Sequence, residues 1–340
     1  MTNQDIRKCT CVVTGVAGFV GSHLAERLLS MGCLVVGIDD FSSGHEKNLA
    51  GFCDHPAFRF HEACITRPRL LHRVLPDRTT PRVLFHLAAI VSVPYSLEHP
   101  EETFRINHAG TLSLLDQAVS LGFQRVVFAG SAAEYGDDER LPLREEYSGD
   151  ETRQLSPYGR SKYLASKAVA GCNGVTTGVA LRCFNIYGPR QDPNSPYSGV
   201  ISRFVEKAVA GKPLTVFGDG GQTRDFAYVD DVVQAYLAAS GLSGTVGRSP
   251  GGIFNVGSGT RTPIRELASM VLRLMGMKEN VVYGPERPGD IRHSVASTAA
   301  IKKATGWEAA VPLEQGLRIT LEWMHGERAA ISAQKKDAPP

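Results

Sequence analysis

The chain has 340 residues, with 37 lysines and arginines against 35 acids, a formal net charge of +2 and 42% hydrophobic residues. That length supports a large buried core, in one big α/β domain or two unequal ones, and a near-neutral balance without long single-sign runs excludes the footprint of a nucleic-acid or anionic-membrane binder. Seven scattered cysteines with no CxxC pair read as reduced core residues, not a disulfide framework or metal site, and the absence of an apolar leader or bilayer-length run predicts a soluble, cytoplasmic protein.

From residue 9 to 136 short β-branched runs alternate with longer amphipathic ones, the rhythm of a parallel sheet with crossover helices. Strands are predicted at Cys9–Thr14, Leu34–Ile38, Phe58–His61, Arg82–Leu87 and Arg125–Gly130. Helices are predicted at Phe19–Met31 and Glu101–Leu121, the second with Phe104, Ala109, Leu112, Leu115 and Val119 at near-helical spacing. A helix over Gly159–Ala170 follows a Ser-Pro pair, and Thr176–Arg182 reads as a further strand. From Gly188 the texture changes to loops rich in Gly, Pro, Asn and Asp, the mark of a smaller lobe. The expected division is residues 1–187 for the nucleotide-binding sheet with the chemistry, and 188–327 mainly for substrate, some segments returning to the sheet. Residues 243–252 are expected to be a flexible connector and 328–340 a frayed tail.

The run Val12-Val13-Thr14-Gly15-Val16-Ala17-Gly18-Phe19-Val20-Gly21 has a strand before its glycines and an amphipathic helix after them. Glycines there permit a tight turn and let main-chain amides approach a pyrophosphate, whose charge a helix N-terminus favours. Asp39 ends the second strand, where a carboxylate accepts both ribose hydroxyls and repels a 2′-phosphate, so NAD is favoured over NADP; Asp40 adds to that repulsion. A doubly wound, Rossmann-like α/β fold with a smaller C-terminal lobe follows. Tyr158 and Lys162 stand four apart in SPYGRSK, on one helix face. A phenol needs acidification to act as a base near neutrality, which a neighbouring ammonium and a cationic nicotinamide both favour. Ser131, at the carboxyl end of Arg125–Gly130, stands where α/β sheets place ligands.

These residues, with HLAA at 86–89, LRCFNIYGPRQDPNSPYSG, FGDGGQTRDFAYVDD, FNVGSG and RPGDIRHS in order, resemble the extended short-chain dehydrogenase/reductase family, specifically the NAD-dependent sugar-nucleotide epimerases and dehydratases, over nearly the whole length. The resemblance implies a catalytic trio of Ser131, Tyr158 and Lys162. Tyr158 takes the proton of a sugar C4 hydroxyl as hydride leaves C4, Lys162 holds the nicotinamide ribose, and Ser131 orients the hydroxyl and ketone. It implies that NAD is held by Gly15, Gly18, Phe19, Val20, Asp39, Asp40, Ser42, Gly44, Cys64, Ile65, Leu87, Ala88, Ala89 and Asn107, with Tyr158 and Lys162. It also implies a UDP-sugar held by Val91, Ser131, Ala132, Ala133, Asn185, Val200, Val216, Phe217, Arg224, Arg287, Asp290 and Ser294. In that set the two arginines take the diphosphate, Asp290 the uridine ribose, and Asn185 a phosphate or sugar oxygen. No metal is implied. A homodimer is expected, through helices 101–121 and 159–170.

Related dehydratases and UDP-glucuronate decarboxylases carry an acid two residues after the position of Ser131, because elimination needs one. Here that position is Ala133, and Glu134 one step later turns to another face, which places 4-epimerisation ahead of UDP-glucuronate epimerisation or decarboxylation and of 4,6-dehydration. A dinucleotide sensor without chemistry stands last, since the trio is complete. Ser294 falls where related enzymes carry a bulky tyrosine that excludes an N-acetyl group, so the expected substrate is UDP-GlcNAc/UDP-GalNAc, with UDP-glucose/UDP-galactose admitted. Ala63-Cys64-Ile65 replaces a Gly-Asp-Ile whose acid contacts adenine in relatives.

Overall fold

The computed structural model describes residues 9–75, 82–149, 154–192, 199–242, 250–286 and 291–337, with side chains as far as residue 327. Six strands arise in chain order: Thr10–Thr14 (β1), Leu34–Asp39 (β2), Phe58–Glu62 (β3), Arg82–His86 (β4), Arg125–Ser131 (β5) and Thr177–Cys183 (β6). A seventh, Gly252–Val256, returns from far along the chain, and the order across the sheet is Gly252–Val256, β6, β5, β4, β1, β2, β3. Every pairing is parallel, with Thr14 between Ile38 and His86 and with Ser131 beside Cys183. The carboxyl ends Thr14, Asp39, His86, Ser131 and Cys183 therefore share one edge, which is where such sheets bind ligands.

The strands read as near-continuous apolar runs because helices cover both faces. On one face Leu24, Ala25 and Leu28 of the helix Phe19–Ser30 pack with Val232, Val233 and Tyr236 of the helix Val229–Ser240. On the other face lie Leu114, Leu115 and Ala118 of Thr111–Ser120 with Ala165 and Val169 of Pro157–Ala170. Each buried Leu or Val among them contributes roughly 1.5–3 kcal/mol relative to exposure. The helix Pro157–Ala170 comes so close to β6 that a Cβ on Gly178 would sit 1.7 Å from the Val169 carbonyl oxygen. Ser156 starts this helix by accepting the Gly159 N–H at 3.1 Å, with proline at the first helical position.

The single helix expected over 101–121 is in fact Pro100–Phe104, a π-helical turn Arg105–Gly110, and Thr111–Ser120. A run of apolar spacing cannot register this widening. It turns Asn107 inward, where its main-chain oxygen accepts from Thr111 Oγ1 at 2.6 Å, and π turns recur at functional sites.

The smaller lobe has its own core of Tyr187, Phe204, Val205, Leu214, Val216, Leu267, Val271 and Leu317. It is built from the helices Val200–Val209, Ile264–Leu274 and Leu313–Asp337 around the parallel pair Leu214–Phe217 and Val281–Gly284. The frayed tail expected from residue 328 is instead helical as far as Asp337, through a stretch rich in alanine and lysine that suits helix. Most of the expected connector, residues 243–249, lies outside the described residues.

Candidate active site

Gly15 continues β1 into a turn with φ +72°, and its N–H donates to the Ile38 carbonyl at 2.8 Å. Gly18 caps the following helix without a side-chain bond, and a Cβ on Gly21 would sit 2.0 Å from the Gly15 oxygen. No acid occupies the first helical turn, so the free N–H groups of Phe19 and Val20 present positive potential to an anion. Asp39 is only 8% exposed. Its Oδ2 accepts from Ala17 N and its Oδ1 from Phe41 N, both at 2.9 Å, while burial raises its pKa and these two bonds oppose the rise. A carboxylate has about four acceptor positions, so Asp39 can take ribose hydroxyls as well. Asp40 is exposed and accepts from Ser42 N at 3.1 Å; Gly44 leaves room beside Asp39, since a Cβ there would come 2.9 Å from Asp39 Oδ1. This cradle, with a carboxylate at the ribose position, fits a dinucleotide without a 2′-phosphate.

Leu87, Ala88 and Ala89 leave β4 beside that turn, partly exposed, followed by Val91 at 48% exposure. Asn107 reaches them indirectly. It clamps the Ile90 peptide, accepting from Ile90 N and donating to Ile90 O, each at 2.8 Å, and its Nδ2 also donates to Ser161 Oγ at 3.2 Å. Asn107 is 1% exposed, and these bonds set the loop that borders the glycine turn. Ile65 is buried; Cys64 stands half-buried with Sγ 3.3 Å from Thr66 Oγ1.

Ser131, Tyr158 and Lys162 meet at the carboxyl edge. Ser131 Oγ accepts from Ala133 N at 3.2 Å and opens the short 3₁₀ turn Ala132–Tyr135. Burial pushes the Tyr158 phenol up to about 12, the Ser131 hydrogen bond pulls it back, and the Glu134 and Cys183 charges raise it. Burial also lowers the Lys162 ammonium to about 8, against Glu134 and Cys183. Lys162 Nζ donates to the Ala129 carbonyl at 2.9 Å and lies 4.8 Å from the Phe128 ring centroid. Burial thus outweighs the Ser131 bond and holds the Tyr158 phenol above its usual range, and the cationic ring of an oxidised nicotinamide would act in the opposite sense.

On the sugar side, Asn185 is exposed and its Nδ2 donates to the Asp225 carbonyl at 2.9 Å. Arg224 is half-buried, Nη1 donating to Thr223 O at 2.9 Å. The segment carrying Ser294 is laid beside it: Ser294 N donates to Thr223 O at 3.1 Å, Thr223 Oγ1 lies 3.0 Å from His293 Nδ1, and Arg292 grips Asp219 through two bonds of 2.8 and 2.7 Å. Ser294 itself is 8% exposed. Phe217 is half-buried, but Val216 is fully buried in the lobe core, so the strand's alternation offers only its main chain to a ligand. Val200 begins its helix, partly exposed. Arg287 and Asp290 lie outside the described residues.

Several supporting groups escape a motif reading. Buried His86 bridges Thr14 Oγ1 at 2.7 Å and Thr111 Oγ1 at 2.9 Å. Because Thr111 gives its proton to Asn107, it must accept from His86 Nε2–H, and Nδ1 accepts from Thr14. Burial lowers this imidazole to about 3, with Lys162 adding to the effect. The run HLAA at 86–89 holds the signal, a histidine at a strand end, but not its partners. Asp225, fully buried, accepts from Ser258 N and Oγ, Gly259 N and Ala296 N between 2.7 and 3.0 Å.

A glycine turn on the first strand, an acid on the second and a Ser-Tyr-Lys trio on one edge of a parallel sheet define a dinucleotide-dependent enzyme acting by hydride and proton transfer. Residues 11–257 match the NAD dependent epimerase/dehydratase family, and the chain belongs to it. Over 322 residues it is 36% identical to a UDP-glucose 4-epimerase of Mycolicibacterium smegmatis, covering 93% of this chain and 98% of that one. The structure superposes with a TM-score of 0.80 on a Thermus thermophilus UDP-glucose 4-epimerase in complex with NAD, 34% identical over 93% of this chain and 99% of that one. A UDP-N-acetylglucosamine 4-epimerase of Methanobrevibacter ruminantium, in complex with UDP-N-acetylmuramic acid, gives a TM-score of 0.84 at 31% identity, covering 94% and 99%. The enzyme is NAD-dependent.

Proposed function

We propose that the enzyme is a UDP-hexose 4-epimerase, acting on UDP-GlcNAc and UDP-GalNAc and accepting UDP-glucose and UDP-galactose. The observation that carries epimerisation over elimination is the direction of Glu134. Its carboxylate is 0% exposed and accepts from Arg182 Nε at 2.6 Å. Ala133 follows the catalytic serine where elimination chemistry needs an acid, so the turn 132–135 offers no carboxylate to C5 and C6.

Tyr158 takes the proton of the C4 hydroxyl, which Ser131 orients by hydrogen bonding. Lys162 stabilises the phenolate from one helical turn away. The nicotinamide, when bound, supplies a hydride acceptor that becomes the donor. The 4-keto sugar turns about its diphosphate, and Tyr158 returns the proton to the oxygen on the inverted centre. Main-chain amides of the Gly15–Val20 turn, Asp39 and the loop at 87–89 would hold the dinucleotide. Arg224, with Arg287, would hold the diphosphate by charge-assisted bonds. Ser294, in place of a large aromatic side chain, supports acceptance of an N-acetyl group. The proposal includes a homodimer through helices 100–120 and 157–170, whose neighbourhood exposes Val93, Leu97 and Val119, and a cytoplasmic location; among the described residues no helix is long and apolar enough to cross a membrane.

The test is to incubate the purified enzyme with UDP-GlcNAc, UDP-glucose or UDP-glucuronate and resolve the products by NMR. Conversion of UDP-GlcNAc to UDP-GalNAc, reduced about 10²–10⁴-fold by Tyr158→Phe, is expected. Conversion of UDP-glucose alone would refute the reading of Ser294. Carbon dioxide release or a stable 4-keto product would replace the reaction class.

A further inference from the structure

One motif residue has no part in that chemistry, although the fold brings it beneath all three catalytic side chains. Glu134 Oε1 accepts from Ser131 N at 2.9 Å and from Ser166 Oγ at 2.8 Å. Oε2 takes the Nε of Arg182, itself 0% exposed. Arg182 Nη1 goes on to the Tyr135 hydroxyl at 3.3 Å and the Glu145 carbonyl at 3.0 Å, and Tyr135 donates to Asn255 Oδ1 at 2.6 Å. Ser131 lies on β5, Ser166 is one helical turn beyond Lys162 on the helix of Tyr158, and Arg182 is on β6. One carboxylate therefore ties together the elements that carry the trio. Room for it is made on purpose: a Cβ on Gly130 would come 2.8 Å from Glu134 Oε1 and 3.0 Å from Ser166 Oγ.

We infer that Glu134 is a positioning residue, fixing the Ser131 hydroxyl against the Tyr158 phenol and placing a buried negative charge under the proton-transfer pair. The inference rests on the reading of Tyr158 and Ser131 given above. Two consequences follow from physics. A misplacement of the order of 1 Å costs about 10²-fold in rate, so loss of the tie falls on kcat and leaves KM nearly unchanged, because the diphosphate is held elsewhere. A buried anion opposes formation of a phenolate, and Glu134 acts in that sense on Tyr158. The other groups that act on Tyr158 are Ser131 at the end of β5, Cys183 at the end of β6 and Tyr236 on the helix Val229–Ser240, with Lys162 one turn along its own helix; a change at 134 also removes the bond to Ser131 N and the support that Glu134 gives the Lys162 ammonium.

The experiment compares full-length wild type with E134Q, which keeps shape and acceptor but loses the charge, and with the double variant Glu134→Leu with Arg182→Met, which leaves no buried charge unpaired. NAD content, melting temperature and the pH profile of kcat are measured with UDP-GlcNAc and UDP-glucose. E134Q is expected to retain NAD and a KM within about twofold while its acid limb moves to lower pH; the double variant is expected to lose about tenfold or more in kcat at similar KM. A folded variant with wild-type kcat and an unmoved acid limb overturns the inference, and so does failure of both variants to fold, which would make Glu134 a folding residue. Tyr158→Phe, run in parallel, separates the cases: if it remains active, the underlying reading fails instead.

Discussion

The dinucleotide side and the sugar side of the site are held in place by different means. Around the proposed NAD position the groups are fixed by main chain and by buried side chains: the Gly15 turn, two backbone N–H hydrogen bonds to Asp39, the Asn107 clamp on Ile90 and the His86 bridge. On the proposed sugar-nucleotide side, main-chain bonds such as Ser294 N to Thr223 O and the buried Asp225 are joined by side-chain pairs on exposed loops, among them Asp219–Arg292, with both side chains more than half exposed. A main-chain cradle admits no added atom, whereas an exposed pair can be lost and replaced by water. A cofactor used again at every turnover suits the first arrangement, and a substrate that must turn over within its site suits the second.

The comparison is broken most severely at Gly21. Gly21→Ala, forced against the Gly15 oxygen, should lower stability by about 3 kcal/mol and strip NAD from the purified protein, read by melting and by the dinucleotide released on denaturation; a stable, NAD-loaded variant would show that the cradle yields. Next comes His86. An imidazole at about 3 when folded, against about 6.5 unfolded, binds fewer protons in the native state, so its contribution is intact above pH 6.5 and is lost as pH falls towards 3. Between pH 7 and 4.5 the loss is about 2–3 kcal/mol, measurable by urea unfolding, and His86→Gln should flatten that slope. Asp39→Ser removes the repulsion of a 2′-phosphate and should shift the NADP-to-NAD binding ratio about tenfold, by calorimetry on apoenzyme. The smallest effect belongs to the other side: Asp219→Ala should raise KM about two- to fivefold with the melting temperature unchanged to about 1 °C.

The same contrast decided what could be read from the residues alone. The sheet was legible because β-branched runs and glycine turns are local signals, and each of the six early strands falls within a residue or so of its expected limits. The trio was legible because Tyr158 and Lys162 share a helix. The π turn at Arg105–Gly110 was not, since its apolar spacing mimics a plain helix, and it took the partners of Asn107 to show why it is there. Nor could the inward turn of Glu134 be followed to its end: its partner Arg182 lies 48 residues on, and no spacing rule connects a turn to a side chain of the next strand across so long a connection. The sugar side, assembled from loops at 217–224 and 291–296, depends on long-range pairs such as Thr223 with His293.

The return of Gly252–Val256 to the edge of the sheet also governs how the chain can be divided. The helix Val229–Ser240 and Trp307 belong to the core under the first strands, and Trp307 Nε1 donates to the Asp231 carbonyl at 2.9 Å while the Asp231 carboxylate holds Ala310 N and Val311 N. A cut after residue 187 would leave β6 with an unpaired edge and one face of the sheet without the helix Val229–Ser240. The two proposed binding surfaces can therefore be altered separately, yet the sheet that carries the first is completed by chain that lies beyond the second.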